Sequence, residues 1–421
     1  MRAGKKVALH PLPAAAAVTL LLLAVPSPAR AEGGPRPSAG APAAGVPRPS
    51  ARPAPPSRRV PPPPRAELRA AVEGAVSWLV KNQNRDGSWG TFRTRRTYEV
   101  LAMVPGSHHA FRVATTALCV IALEDSPVKT EAGRAAASRG IDYLLGAYNV
   151  KRPRLLEHYS VWAFGYTSQC FGRWLLDHPD DPRAERIRAA AERLVVKLGR
   201  YQSLDGGWGY LSMRPVRTYR PSDTSMSFTT GAILVGIDRL QRAGVEVPGK
   251  MVQRAVKNVA GNETPLGAFS YGDYLKERPL LPINRIKGSA CRTPCCLYAL
   301  SLFGRKLTVS KRCKVLDDLL VRHIRFQELG VRRPVPHESW YQISGYFYLF
   351  GMAYAGYILE GLPPGERQRF AGPLFAAVMY CRQPDGSFWD YPLYGYHKAY
   401  GTAFALMALS RIPGAGAEAE E

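Results

Sequence analysis

A short motif occurs three times along this chain and restricts its fold more than any other feature. Residues 83–89 and 202–208 share the pattern Q-x-x-D-G-x-W, and residues 383–389 are a copy shortened by one residue. The copies are separated by about two and about three lengths of a unit of about 60 residues. Repetition at a fixed period indicates one supersecondary unit that is used several times over.

Helices with one apolar face precede the three motifs. Apolar residues recur there at four-three-four spacing, as in Leu68, Val72, Ala75 and Leu79, and this spacing is typical of a helix with one buried stripe. Six such amphipathic helices are predicted, with six segments between them that are apolar on nearly every face. The apolar segments are 111–124, 158–176, 224–240, 293–304, 341–360 and 398–411.

The alternation of these two kinds of helix predicts the architecture. A helix that is apolar all round has to be buried all round, and almost no stretch of the chain shows the alternation of a β-strand. We expect an all-α double ring, in which six outer amphipathic helices enclose six inner helices around a central cavity. Each motif then ends an outer helix, where glycine supplies a left-handed turn, aspartate accepts from free backbone groups and the indole packs on the neighbouring repeat.

The two ends of the chain differ from this repetitive core, which we place at residues 65–412. Residues 1–31 combine a basic start, an apolar stretch and an A-x-A site, the pattern of a secretory signal peptide. Residues 32–64 are rich in proline and alanine and are predicted to be a disordered linker, and residues 413–421 a disordered acidic tail. We therefore predict an exported protein, periplasmic or extracellular, whose mature chain has no transmembrane span.

The net charge gives limited information about binding partners, and the number of cysteines limits the possible disulfides. The chain carries a formal net charge of +24, which favours an anionic surface partner. Its basic residues are scattered and no nucleic-acid-binding module is recognisable, so no specific nucleic acid is predicted. The seven cysteines are an odd number, so at least one of them lies outside any intramolecular disulfide.

The first motif and two inner segments resemble those of a known family. Residues 74–79, followed by Gln83, Gly87 and Trp89, closely resemble the QW motif of squalene and oxidosqualene cyclases, and residues 223–240 and 402–409 look like inner helices of the same repeat. The chain thus resembles the squalene-cyclase and prenyltransferase repeat family of terpenoid cyclase and protein prenyltransferase toroids. This resemblance implies an (α/α)6 toroid over everything after the linker.

The resemblance also implies where an acid would lie. A class II cyclase protonates an alkene with a buried carboxylic acid, supplied in the family by a D-x-D-D motif before D-T-A. The matching positions here are residues 220–223, Arg-Pro-Ser-Asp, so serine replaces the proton donor. Asp223 remains the best single catalytic candidate, and its alternative role is to cap the helix that follows.

Zinc is the one cofactor that the resemblance offers. Prenyltransferase β-subunits hold zinc with an aspartate, a cysteine and a histidine at the starts of inner helices. The corresponding candidates here are Cys291, Cys295 and His397, with Asp223 or His108 as a fourth ligand. The alternatives for the cysteines are ordinary packing or one local disulfide.

Aromatic side chains are dense on the inner helices and the loops that enter them. Such rings stabilise carbocations in a cyclase, and in a binding protein they stack on sugars or line an apolar pocket. The predicted cavity residues are His158, Tyr159, Trp162, Trp340, Tyr341, Tyr346, Trp389, His397 and Tyr400.

Loss of the acid motif favours a non-cyclase function. We expect an exported toroid that binds an apolar, isoprenoid or aromatic-stacking ligand in its cavity, or a partner on its surface. The alternatives are a divergent isoprenoid cyclase or transferase that uses Asp223, a polysaccharide-acting enzyme with a carbohydrate ligand, and a scaffold for other exported proteins.

Overall fold

Helices account for nearly all regular structure in the part of the chain that the structure describes. The computed structural model describes residues 60–94, 104–154, 157–211, 224–333 and 343–416, all within the unit Pro56–Glu421. The predicted signal peptide, most of the predicted linker and the end of the predicted tail lie outside the described residues. Among the described helices, none combines the length and apolarity needed to cross a lipid bilayer.

Amphipathic and apolar helices alternate along the described chain as predicted. The amphipathic helices are α1 (Arg65–Lys81), α3 (Glu131–Ala147), α5 (Ala184–Tyr201), α7 (Gly249–Gly261), α10 (Val309–Leu316, continued by a π-helical segment, Asp317–Arg322) and α13 (Pro364–Met379). The apolar helices are α2 (Pro105–Asp125), α4 (Ser160–Asp177), α6 (Ser227–Arg242), α9 (Thr293–Leu302), α12 (Tyr348–Glu360) and α14 (Gly395–Leu409). Two short helices, α8 (Ile286–Ser289) and α11 (Ile324–Glu328), lie in connections.

The apolar helices form a closed inner ring. Each contacts the next in the order α2, α4, α6, α9, α12 and α14, and α14 packs back against α2. Helix α12 is buried at every position from Tyr348 to Leu359, whereas α5 buries one stripe that includes Ile187, Leu194 and Leu198. The predicted all-α double ring of six inner and six outer helices is confirmed.

The motif turns join neighbouring outer helices. Gly87 and Gly206 have φ angles of 83° and 94°, which glycine adopts without steric cost. A Cβ atom on Gly87 would lie 2.4 Å from the carbonyl oxygen of Arg139 in α3, so the turn packs directly on the next outer helix. The Trp89 indole is fully buried and donates to the carbonyl of Leu79 at 2.7 Å. The motif residues therefore have the structural roles predicted for them.

The register predicted for the third motif copy is wrong. Phe388, which is fully buried, occupies the position of Trp89, and its backbone N–H donates to Thr402 Oγ1 at 3.0 Å as that of Trp89 does to Thr116 Oγ1. The turn has full length, with Arg382 paired to Phe388 as Gln83 is to Trp89. Trp389 lies one residue beyond the conserved geometry of the turn.

A fourth copy of the turn follows α7. Glu263 pairs with Phe269 in an antiparallel bridge, and Gly267 between them has a φ of 79°. Phe269 is fully buried, like the aromatic residue of the other copies. The sequence pattern missed this copy because Glu263, Leu266 and Phe269 replace the motif's glutamine, aspartate and tryptophan.

The ring closes between its first and last helix pairs. Trp78 Nε1 in α1 donates to Asp385 Oδ2 in the turn after α13 at 3.1 Å. Lys398 at the start of α14 also forms an ion pair with Asp385. The outer ring is therefore joined where the first and last described helix pairs meet.

Ion pairs lie at the end of the inner ring that is formed by the C-termini of its helices. Asp125 at the end of α2 accepts from Arg173 of α4 at 2.9 Å and from Arg411, just after α14, at 2.5 Å. The Arg411 guanidinium also lies 3.7 Å from the ring centroid of Tyr357 in α12, and the Tyr357 hydroxyl donates to Asp125. This ionic cluster ties α2, α4, α12 and the end of α14 together at their C-terminal ends.

Candidate ligand cavity

A cavity of about 190 Å³ lies among the N-terminal halves of the inner helices. Its described wall is drawn from α2, α4, α6, α12 and α14 and from the loops that lead into them. Fifteen of the twenty-one lining residues are Phe, Tyr or Trp, and no Asp, Glu, Lys or Arg is among the described ones. The site is therefore apolar and aromatic, with hydroxyl groups as its main polar atoms.

Helical spacing places the lining side chains on one face of each inner helix. On α4 and its N-cap these are Tyr159, Trp162 and Tyr166. Residues three and four positions apart share one face of a helix, so these three rings point to the same side. Trp162 stacks on Tyr166 with ring centroids 5.8 Å apart, and Tyr159 stacks on Tyr210 at 5.7 Å. Such offset stacking fixes the rings and preforms the wall.

Three tyrosine hydroxyls of the cavity wall are held neutral by burial. The Tyr210 and Tyr271 hydroxyls hydrogen-bond to each other, and burial raises the pKa of both phenols well above the usual value. Burial likewise raises the pKa of Tyr400. These groups offer hydrogen bonds to a ligand at physiological pH without carrying charge.

His397 is the one imidazole on the described cavity wall, and it is uncharged. Its Nδ1 accepts from the backbone N–H of Tyr394 at 3.0 Å in the capping box of α14. Burial, assisted by repulsion from His108, lowers the pKa of His397 to about 3. Because Nδ1 is an acceptor, the neutral ring carries its proton on Nε2. His397 can therefore donate one hydrogen bond but supplies no cation.

A buried carboxyl group lies directly behind the wall. Asp390 is fully buried, precedes the lining residue Tyr391, and accepts from the backbone N–H of Leu349 in the first turn of α12 at 2.9 Å. Burial raises the pKa of Asp390 to about 7, although the backbone hydrogen bonds oppose the shift. Asp390 was not predicted from the sequence, because a single aspartate after a motif gives no signal of its burial.

A buried arginine lies behind another part of the wall. Arg292 is almost fully buried at the start of α9, and its guanidinium carbon lies 5.2 Å from the ring centroids of both Tyr271 and Phe347. Both rings line the cavity. Arg292 was not predicted as a site residue, although the sequence places it between two cysteines in an otherwise apolar segment.

Five of the nine predicted cavity residues line the cavity. They are Tyr159, Trp162, Tyr346, His397 and Tyr400. The predicted residues Trp340 and Tyr341, like the predicted acid Asp223, lie outside the described residues.

Two predicted cavity residues lie elsewhere. The His158 ring approaches Arg152 with 2.7 Å between Nε2 and Nη2, and packs edge-on against Tyr201. Trp389 donates from Nε1 to the carbonyl of Tyr391 at 3.0 Å and lies under Lys398. Trp389 misses the cavity because Phe388 takes the buried position in the turn.

The structure does not bring the predicted zinc ligands Cys291, Cys295 and His397 together. Cys291 Sγ contacts Gln327, Cys295 Sγ donates to the carbonyl of Phe228, and His397 uses Nδ1 in its helix cap. No three His, Cys, Asp or Glu side chains among the described residues are placed to hold a metal ion. All seven cysteines are free and most are buried, which agrees with the packing alternative and not with a local disulfide.

The closed double ring of six helix pairs defines this chain as an (α/α)6 toroid. A glycosidase variant solved in complex with glucose aligns with a TM-score of 0.50 over 83% of this chain and 98% of its own, at 13% identity. The α-1,6-mannanase GH76A of Salegentibacter sp., in complex with α-1,6-mannotetrose, gives 0.49 over 81% and 98% at 9% identity. The type II terpene cyclase MstE of Scytonema gives 0.43 over 82% and 98% at 12% identity. At these identities the likeness concerns the fold alone.

Comparison by sequence is consistent with the same superfamily. A probable squalene–hopene cyclase of Sinorhizobium fredii is 29% identical over 157 residues, which are 34% of this chain and 22% of that protein. The match thus spans about a fifth of that protein's length. No protein-family model matches the chain. The resemblance inferred from the QW motif is confirmed at the level of the toroid superfamily.

Proposed function

We propose that this protein binds an apolar ligand in its central cavity through stacking and van der Waals contact with aromatic rings. The observation that carries this proposal is the composition of the cavity's described wall, which is predominantly aromatic, contains no charged side chain and holds its one imidazole neutral. Preformed apolar pockets with a few polar groups are typical small-molecule sites. A polyisoprenoid or another unsaturated lipid fits this chemistry.

The same wall gives less support to the carbohydrate alternative. Glycoside hydrolysis uses a pair of carboxyl groups on either side of the scissile bond, and the described lining residues include no Asp or Glu. Aromatic rings also stack on sugars, so a polysaccharide ligand is retained as an outcome of the test.

Trp162 offers a direct test of ligand binding. The mature protein is purified from cells, analysed by native mass spectrometry and extracted with organic solvent, and its affinity for the neutral apolar dye Nile red is measured. We expect Trp162→Ala to lose the co-purifying lipid and to weaken dye binding about tenfold, because an aromatic anchor of the wall is removed.

Trp174 is the matched control for this experiment. It lies on the same helix, is buried like the cavity residues and is absent from the cavity wall. Trp174→Ala should therefore reduce stability without changing dye affinity in the folded protein. A protein that carries no lipid and binds the dye equally well with or without Trp162 would contradict the proposal, and a co-purifying oligosaccharide would favour the carbohydrate alternative.

Asp390 favours a second candidate, an enzyme that protonates an alkene. A carboxyl group with a pKa of about 7 is protonated over much of the range in which a general acid acts. In such a reaction its proton would add to a carbon–carbon double bond, and the resulting cation would later lose a proton. Conversion of squalene by the purified protein, abolished in Asp390→Asn, is the expected result for this candidate. Asp223 remains a predicted acid, to be tested by Asp223→Ala in the same assay.

We further propose that the protein acts outside the cytoplasm, as its N-terminal pattern predicts. The mass and N-terminal sequence of the protein recovered from its native cells test this, with cleavage expected after Ala31. The net charge of +24 supports attraction to anionic surfaces. Binding to anionic vesicles that weakens with added salt is the expected result for that partner.

A further inference from the structure

Arg292 places a buried positive charge next to the cavity. Its side chain is almost fully buried, and an arginine keeps its charge in proteins because its pKa lies far above physiological pH. The guanidinium carbon lies 5.2 Å from the ring centroids of Tyr271 and Phe347 and 6.0 Å from that of Phe228. All three rings line the cavity. The charge is therefore within about one layer of aromatic side chains of the cavity space.

Neutral groups alone hold this charge in the described structure. Nη1 donates to the carbonyl of Gly288 at 2.9 Å and Nη2 to that of Ile283 at 2.8 Å. Nε has no hydrogen-bond partner among the described residues, and none of the described carboxylates forms an ion pair with Arg292. A buried charge without a counter-ion is costly, so its positive potential extends into the neighbouring apolar space with little screening.

Two other arginines of the described structure, one buried and one partly buried, contrast with Arg292 because each is paired with carboxylates. Arg411, with 6% of its side chain exposed, is paired with Asp125 and Glu360. Arg173 is paired with Asp125 and Asp177. Arg292 thus differs from these arginines because no described carboxylate is paired with it, although its guanidinium packs against rings of the cavity wall.

We propose that the cavity takes an apolar ligand with a single acidic head group, and that this group lies on the side of Tyr271 and Tyr346, where Arg292 supplies the counter-charge. Tyr271 shares a hydrogen bond with Tyr210, and Tyr346 lies in the same wall, so the wall beside Arg292 is polar without carrying a charge of its own. The inference rests on the proposed binding of an apolar ligand and specifies its chemical class. A carboxylate and a phosphate monoester share the chemistry required.

Probes with one chain and different head groups test the inference. Dodecanoate, dodecyl phosphate, dodecanol and dodecylamine are titrated against the full mature protein. We expect both anionic probes to bind about tenfold or more tightly than dodecanol, and dodecylamine to bind most weakly, because the buried cation attracts negative charge and repels positive charge at short range. The anionic probe that binds more tightly identifies the head group as carboxylate or phosphate.

Two variants separate this effect from the general basicity of the surface. Arg292→Met keeps most of the apolar stem and removes the charge, so the preference for the anionic probes should fall to about that of dodecanol while dodecanol affinity is retained. Arg325→Met removes a charge that is 87% exposed and should leave the preference unchanged. Persistence of the anion preference in Arg292→Met would overturn the inference.

If Arg292→Met fails to fold, the four probe affinities of the wild-type protein still test the inference. Equal affinities of the wild type for dodecanol and the two anionic probes would overturn the inference and leave the proposed function standing. A wild type that binds none of the four probes would overturn both. Tighter binding of either anion, lost for dodecanoate when the pH is lowered far enough to protonate its carboxyl group, supports the inference.

Discussion

The two ends of the inner ring bury their polar groups in opposite ways. At the C-terminal ends of the helices, Asp125 is paired with two arginines and with the hydroxyl of Tyr357. At the N-terminal ends, the cavity wall is aromatic and neutral, and the two ionisable groups behind it, Asp390 and Arg292, have no ion-pair partner among the described residues. Paired charges hold helices together, whereas unpaired charges create a potential that a ligand can satisfy. The C-terminal end therefore holds the helices together, and the N-terminal end carries the cavity that we propose as the ligand site.

The largest effect should come from removing the carboxylate at the ionic end. Asp125→Ala leaves Arg411 and Arg173 without their shared buried counter-ion, and we expect a loss of about 3–5 kcal/mol in the free energy of unfolding, measured by urea denaturation. Asp177→Ala, which removes a partly exposed partner of Arg173, should cost about 1 kcal/mol or less. Similar losses in the two variants would show that the ionic cluster is no stronger than a surface pair.

A smaller effect, with a defined pH dependence, is expected at the cavity end. The pKa of Asp390 is about 7 in the folded protein and about 3.9 in the unfolded chain, so folding favours the protonated form. Its stabilising contribution is complete below about pH 4 and is lost as the pH rises through about 7. Asp390→Asn carries no charge, so the variant should gain about 2–4 kcal/mol relative to the wild type between pH 4 and pH 8.

Unfolding free energies at several pH values check this prediction. The difference between wild type and variant is the informative quantity, because other titrating groups contribute equally to both. A difference that stays constant with pH would mean that Asp390 is ionised in the folded protein, and the second candidate function would then lose its acid.

The smallest effects compare single hydroxyl groups at the two ends. Tyr357→Phe removes a hydrogen bond to the charged Asp125 carboxylate and should cost about 1.5–3 kcal/mol. Tyr210→Phe removes a bond between two neutral hydroxyls and should cost about 0.5–1.5 kcal/mol. Thermal and urea unfolding of both variants test the order. The reverse order would remove the distinction between an ionic and a neutral end.

The fold was largely predictable because it follows from local patterns. Apolar periodicity distinguishes α5, with one buried stripe, from α12, which is buried all round, and this difference alone separates outer from inner helices. What could not be predicted is the exact register of degenerate repeats. Phe388 and Phe269 fill the position of the motif tryptophan, and only their burial in the folded chain identifies them.

The site was predictable only in part, because its chemistry depends on tertiary partners. Aromatic residues at the starts of inner helices, such as Trp162 and Tyr400, were identified from position alone. Asp390 and Arg292 look like ordinary charged residues in the sequence, and their properties arise from burial without a counter-ion. The zinc prediction failed for the same reason, since Cys295 on α9 and His397 on α14 belong to inner helices separated by α12 in the ring and contact different partners.

The bond between Trp78 and Asp385 joins two residues 307 positions apart, and it has a topological consequence. Linear solenoids need special terminal repeats to shield their open faces, but a ring joined at its seam has no terminal repeat. Gaining or losing a single helix pair would therefore open the ring and expose two apolar packing surfaces to water. Gly414 lies close to Arg65, so the two ends of the helical core are neighbours. Linking these two residues and cutting the chain at an outer loop should yield a circular permutant with the same toroid fold.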